Sequence, residues 1–220
     1  MFENMSMAAQ AKFQQMLANQ FAQKLSSAID LVARQLAVKG GFLDDPIVRI
    51  LLPPPLGLVI DVARDFHDNP QAALLETLMN RAAENAIPVA GPVLKNIVAN
   101  MDADTLQKLL NSPQSAATEL LMAEGGSAVQ LALLPAVKES LAVNGAIRLY
   151  GDLLDAQQKT GAVLDPTAAA SEQAAAEQAV SQDQLGEYVA QQAAAGLFKK
   201  VAIKELAIRD SLNSIVDSPR

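Results

Sequence analysis

From Phe2 to Leu36 the apolar residues fall at steps of three and four: Phe2, Met5, Ala9, Phe13, Met16, Leu17, Phe21, Leu25, Ile29, Val32 and Leu36, with Gln, Asn and Lys on the opposite face. That spacing fits 3.6 residues per turn and no strand, so residues 1–40 predict one long amphipathic helix. Gly40-Gly41 is its C-cap signal. At 1.5 Å per residue such a helix reaches on the order of 50 Å. That exceeds a compact domain and predicts packing against a second copy or another partner.

The chain ends in the same style. Ser181 and Gln184 form a capping box ahead of Leu185, Val189, Ala193, Leu197, Val201, Ile208, Leu212 and Ile215, which share one face. Residues 183–216 therefore predict a C-terminal helix packing on the core. Alanine, the strongest helix former, supplies 40 of the 220 residues against 8 aromatics, which favours helices packed closely through small side chains. Strand signals are scarce outside Pro46 to Ile60. The fold class expected is all-α: a multi-helix bundle of short helices flanked by long N- and C-terminal ones.

Residues 41–158 predict the helical core. Pro53, Pro54 and Pro55 lack amide donors and force extended backbone before them, giving an apolar polyproline-like crossing. Helix is expected from Leu56 to Phe66, then from Asn69-Pro70 to Ala86, with Pro88 as a stop. New starts fall at Gly91-Pro92, Asp102 and Ser112-Pro113. Gly125-Gly126 closes one helix, and Ser127 caps another that runs to Asn144-Gly145 with Pro135 as a kink. A further helix covers Ala146 to Gln158. Residues 159–182 turn alanine-rich and close to low complexity, a linker or insertion.

Several function classes are disfavoured. With no cysteine there is no thiolate chemistry and no soft metal site. A net charge of −7 and a pI near 4.7 argue against nucleic acid, whose phosphates need clustered Lys and Arg. The longest apolar run, Ile50 to Ile60, is shorter than the roughly 20 residues a bilayer requires, so no span is expected. The N-terminus carries no signal-peptide pattern. His67 is the lone histidine and reads as a surface group near a helix end. No catalytic signature, metal-ligand spacing or cofactor motif occurs, so neither metal, cofactor nor enzymatic activity is expected.

Two polar clusters stand out. Asn80 and Glu84 lie four apart on one helical face with Arg81 beside them, so three polar groups converge there. The plainer reading is an Arg81–Glu84 ion pair, with Asn80 tying down a neighbouring loop. Asp44, Asp45 and Arg49 pose the same choice, and capping of Ile47 onwards is the better reading for a carboxylate before Pro46. Lys138, Glu139, Tyr150, Tyr188, Lys204 and Glu205 read mostly as solvated faces.

GGFLDDPIVRILLP, MNRAAENA, the run from Lys95 through NMDADTLQKLLN to SAATELL, PAVKES, AIRLYGDLL and EYV…GLFKKVAIKELAIR resemble the bacterial domain-of-unknown-function family numbered 4197. The resemblance runs in order from about Leu25 to Ile215. It implies an all-helical protein of the Gram-negative envelope, with a signal peptide or lipoprotein leader and no established activity. The chain departs from that pattern in lacking a leader or lipid-carrying cysteine, and in the alanine-rich stretch Thr167 to Gln182. Periplasm or envelope is implied if a leader was removed, cytoplasm otherwise. Asn80, Arg81 and Glu84 occupy the family's most recognisable polar motif, and Asp45, Pro46 and Arg49 the next.

The function expected is a non-catalytic helical module that binds an apolar or amphipathic small molecule, such as a lipid, between its helices. Phe42, Phe66 and Met79 would line the pocket beside Asn80, Arg81, Glu84, Asp45 and Arg49. The alternative is an interaction module whose long terminal helices form a homodimer or grip a partner. A hydrolase with Glu84 or Asp45 as general base ranks third, because the carboxyl would need a raised pKa.

Overall fold

The computed structural model describes residues 6–56, 70–112, 115–161 and 179–217. Seven α-helices lie among them: α1 (Met7–Ala37), α2 (Pro70–Ala86), α3 (Ala90–Asn100), α4 (Ala103–Asn111), α5 (Ala116–Val143), α6 (Ala146–Gly161) and α7 (Leu185–Asp217). The bundle is all-α, with its longest helices at the two ends and at α5. The expected helix beyond Leu56, Phe66 itself, the lone His67 and most of the alanine-rich linker, residues 162–178, lie outside the described residues.

Local sequence explains most of the boundaries. Ser6 caps α1 by accepting the Ala9 N–H at 3.3 Å. Asp102 does the same for α4 from the Thr105 N–H at 2.6 Å. Before α7 the Gln184 side chain accepts the Ser181 N–H at 3.1 Å, one arm of the predicted capping box. Gly40, just past α1, sits at φ +86°, a conformation that costs a residue with a Cβ more than it costs glycine.

One boundary expectation is overturned. Gly125-Gly126 does not close a helix; α5 runs unbroken from Ala116 to Val143. Gly125 is there for closeness rather than for a cap, since a Cβ on it would stand 2.4 Å from Ile97 Cδ1 and 3.3 Å from Leu94 Cδ2 of α3. The buried stripe of α5, Ala117, Leu121, Gly125, Val129, Leu133, Val137 and Leu141, repeats every four residues and packs on α2, α3, α6 and α7. By length and composition α5 is apolar enough to cross a membrane, a feature that a search for unbroken apolar runs passes over. In the fold it is the helix around which the bundle closes, and its outer face shows Met122, Leu131 and Val143 to solvent.

A single core takes residues from Leu17 of α1 through to Leu212 of α7. Both terminal helices therefore fold back: α1 packs on α3, α4 and α7, and α7 on α1 and α5. Between α1 and α2 the chain makes the predicted non-helical crossing, which buries Phe42, Val48, Ile50, Leu52 and Leu56. Tyr188 on α7 donates its hydroxyl to the Leu51 carbonyl at 3.1 Å. Tyr150 on α6 donates to Val180 O at 2.6 Å, and the Val180 N–H reaches Pro54 O at 2.9 Å.

The crossing lies against α7 at Gly196, where a Cβ would stand 2.9 Å from Phe42 Cε1 and 3.2 Å from Val48 Cβ. Alanine is the better helix former by about 1 kcal/mol, yet overpacking of this kind costs about 1–3 kcal/mol. Gly196→Ala is therefore expected to lower the urea midpoint. A higher midpoint would show that the crossing yields without strain.

Candidate functional site

Glu84 is 2% exposed on the last turn of α2. Its Oε1 accepts the N–H groups of Gly40, Phe42 and Leu43 at 3.1, 3.2 and 3.4 Å, while Oε2 accepts Arg81 Nη1 at 2.7 Å. One carboxylate thus gathers the start of the crossing onto α2. Asn80, also buried, pairs with Ile50 through both backbone groups: Oδ1 accepts its N–H at 2.9 Å, and Nδ2 donates to its carbonyl at 2.8 Å and to Glu76 O at 2.8 Å. A side-chain amide here substitutes for the neighbouring strand that an extended residue would otherwise need.

The second cluster holds the same crossing from its other side. Asp45 accepts the Ile47 N–H at 3.0 Å in a turn, not at a helix start as expected, and its Oδ2 meets Lys200 Nζ at 2.5 Å. The Lys200 hydrogen bond and the Ile47 amide hold its carboxyl below the usual 3.8 against a weaker effect of burial. Arg49 pairs with Glu76 of α2. The polar residues singled out by sequence therefore surround the crossing rather than converge on one opening. Phe42 and Met79 stand at 0% exposure inside the core and not on a pocket wall. Burial raises the hydroxyls of Tyr150 and Tyr188 above their ordinary 10.0.

The sequence reads Glu205 as a solvated residue, and the structure corrects this: it is fully buried. Its Oε2 accepts the Thr118 N–H at 2.8 Å and hydroxyl at 2.7 Å; its Oε1 accepts the Ala117 N–H at 3.1 Å and Arg209 Nη2 at 2.6 Å. Arg209 in turn donates Nη1 to Leu110 O and Ser112 O at 3.2 and 3.3 Å and lies 5.1 Å over the Phe21 ring. The carboxylate caps the start of α5 and the guanidinium caps the end of α4, each at the favourable pole of its helix. The i, i+4 spacing of Glu205 and Arg209 was a readable signal. Their burial was not.

Of the two polar clusters, Arg81 lines a surface groove. Leu78, Arg81 and Asn85 of α2 meet Ala136, Glu139, Ser140 and Val143 of α5, with Asn144, around an open surface groove of about 550 Å³. Asn85 Nδ2 donates to Ser140 Oγ at 3.1 Å across it, and Asn144 Nδ2 to Leu78 O at 3.0 Å. Arg81 is about a quarter exposed, and beyond the bond to Glu84 its guanidinium has no hydrogen-bonding partner among the described residues. The groove combines a braced cation, the Glu139 carboxylate, neutral hydrogen-bonding groups and apolar walls. Among the described residues no group of three or more His, Asp or Glu is placed to hold a metal ion.

No curated protein and no solved structure matches the chain. The family model described as "Protein of unknown function (DUF4197)" matches residues 13–218, which include both polar clusters, the buried Glu205–Arg209 pair and every residue of the groove. The chain therefore belongs to that family.

Proposed function

We propose that this protein is a non-catalytic binding module that takes an amphipathic small molecule in the groove between α2 and α5. The observation that carries this reading is Arg81: Glu84 accepts from its guanidinium, three backbone amides fix Glu84, and Arg81 lines an opening with apolar walls. A cation held in place by its neighbours binds an anionic head group with little loss of side-chain freedom. The volume suits a small ligand, for which pockets run roughly 300–1,000 Å³. The carboxylates weighed as general bases are already engaged, Glu84 by four donors and Asp45 by Lys200 and Ile47. This supports binding over hydrolysis.

Native mass spectrometry on protein purified without detergent, with solvent extraction of the same sample, tests the reading. A stoichiometric extra mass is expected, and Ala136→Phe, which fills the groove from its wall, is expected to reduce occupancy at least tenfold. A clean apo monomer would sink the proposal. The competing reading, an interaction module using its terminal helices, draws on the first turns of α1, where Met7 and Met16 stay 88% and 44% exposed. A clean apo dimer whose mass follows concentration would favour it.

A further inference from the structure

Arg81 is not the only charge in the groove. Glu139 of α5 lines the same space. It is exposed, and no hydrogen bond or ion pair engages its carboxylate among the described residues. The ion pairs formed nearby are Arg81 with Glu84 and Lys138 with Glu187, and among the described residues none joins Arg81 to Glu139. Glu84 anchors the guanidinium on the α2 side, and Glu139 lines the same groove from α5.

The ends of the helices sharpen this polarity. Glu139, Val143 and Asn144 sit at the carboxyl end of α5, where the last carbonyls lack partners in the helix and the dipole favours positive charge. Of those carbonyls, Ser140 O accepts the Asn144 N–H at 3.0 Å. One side of the groove thus suits an anion and the other a cation, with Leu78, Ala136 and Val143 as apolar surface between them.

We infer that the ligand is a zwitterion with an apolar tail, its carboxylate on Arg81 and its ammonium on Glu139. This rests on the binding function proposed for the groove and names the head group. Ser140 Oγ already accepts from Asn85, so its hydroxyl proton is available to the carboxylate as a second donor. A simple fatty acid would leave Glu139 unpaired near its own negative charge, and an alkylamine would do the same to Arg81.

Three probes of equal chain length, 2-aminodecanoic acid, decanoate and decylamine, separate the cases by titration calorimetry below their micelle concentrations. The zwitterion is expected to bind at least tenfold more tightly than either singly charged probe. Glu139→Gln, a change at an exposed position, is expected to bring its affinity down to that of decanoate while leaving decanoate unchanged or slightly improved. Equal affinity for 2-aminodecanoic acid and decanoate, with no effect of Glu139→Gln, would overturn the inference and leave an anion-binding groove. Decylamine matching the zwitterion would overturn it too. No binding by any of the three would remove the groove reading with it.

Discussion

Glu205→Ala is expected to cost about 3–5 kcal/mol of folding stability, the range for breaking a buried ion pair from one side. The substitution strands Arg209 beneath the surface and removes the acceptor for the Ala117 and Thr118 N–H groups and the Thr118 hydroxyl. Ser115, which precedes α5 at φ +72°, makes no side-chain capping bond of its own. Urea unfolding followed by circular dichroism gives the number. A loss under about 1 kcal/mol, the scale of an ordinary exposed pair, would mean that water reaches Arg209 and that the pair is not sealed.

The same residue sets a pH dependence. Burial raises the Glu205 carboxyl, and the hydrogen bonds from Thr118, Arg209 and the Ala117 amide outweigh it, so its folded value lies below the ordinary 4.5. A group depressed in the fold adds stability above its unfolded pKa and loses it as pH falls through the folded one. The native chain should therefore lose stability more steeply than Glu205→Gln as pH drops below the ordinary value. Parallel pH curves for the two proteins would contradict this.

Glu84→Ala is expected to cost about 3 kcal/mol, because it leaves three backbone N–H groups and one guanidinium without their shared acceptor, and each buried orphan costs about 1–3 kcal/mol before relaxation. Its effect should be local at first. Amide exchange is expected to rise at Gly40, Phe42 and Leu43 before it rises in α5, since the carboxylate binds the crossing and not the helices around it. Arg81→Leu should cost clearly less, as Glu84 keeps its backbone donors. Equal losses of stability in the two variants would mean that the ion pair, and not the fastening of the crossing, sets the cost.

The two carboxylates explain how an alanine-rich chain with little aromatic bulk holds irregular backbone inside its core. Buried N–H and C=O groups outside helices need partners. Glu84, Asn80 and Tyr188 supply them to the crossing, and Glu205 with Arg209 supplies them to the α4–α5 junction. The polar motif that carries the family resemblance is in large part this fastening, with Arg81 left over at the groove.

Helical periodicity, alanine content, the Asp102 cap, the Ser181 capping box and the proline-held crossing were all legible from residue order, because each depends on groups within four positions of one another. Even the bonds from Asn80 to a loop and from Arg81 to Glu84 followed from spacing on one helical face. What residue order left open is every distance across the chain. Gly125 reads as a helix stop until Ile97 and Leu94 press against it. Glu205 and Tyr150 read as surface residues because a polar side chain shows no sign of burial until its partners, 87 and 30 residues away, arrive. Phe42 and Met79 read as candidates for a pocket wall against core packing as the plainer reading, and close packing made them core. Local hydrogen bonding and hydrophobic period determined the helices; which faces met, and therefore which charges were sealed in and which were left facing the groove, only the tertiary packing decided.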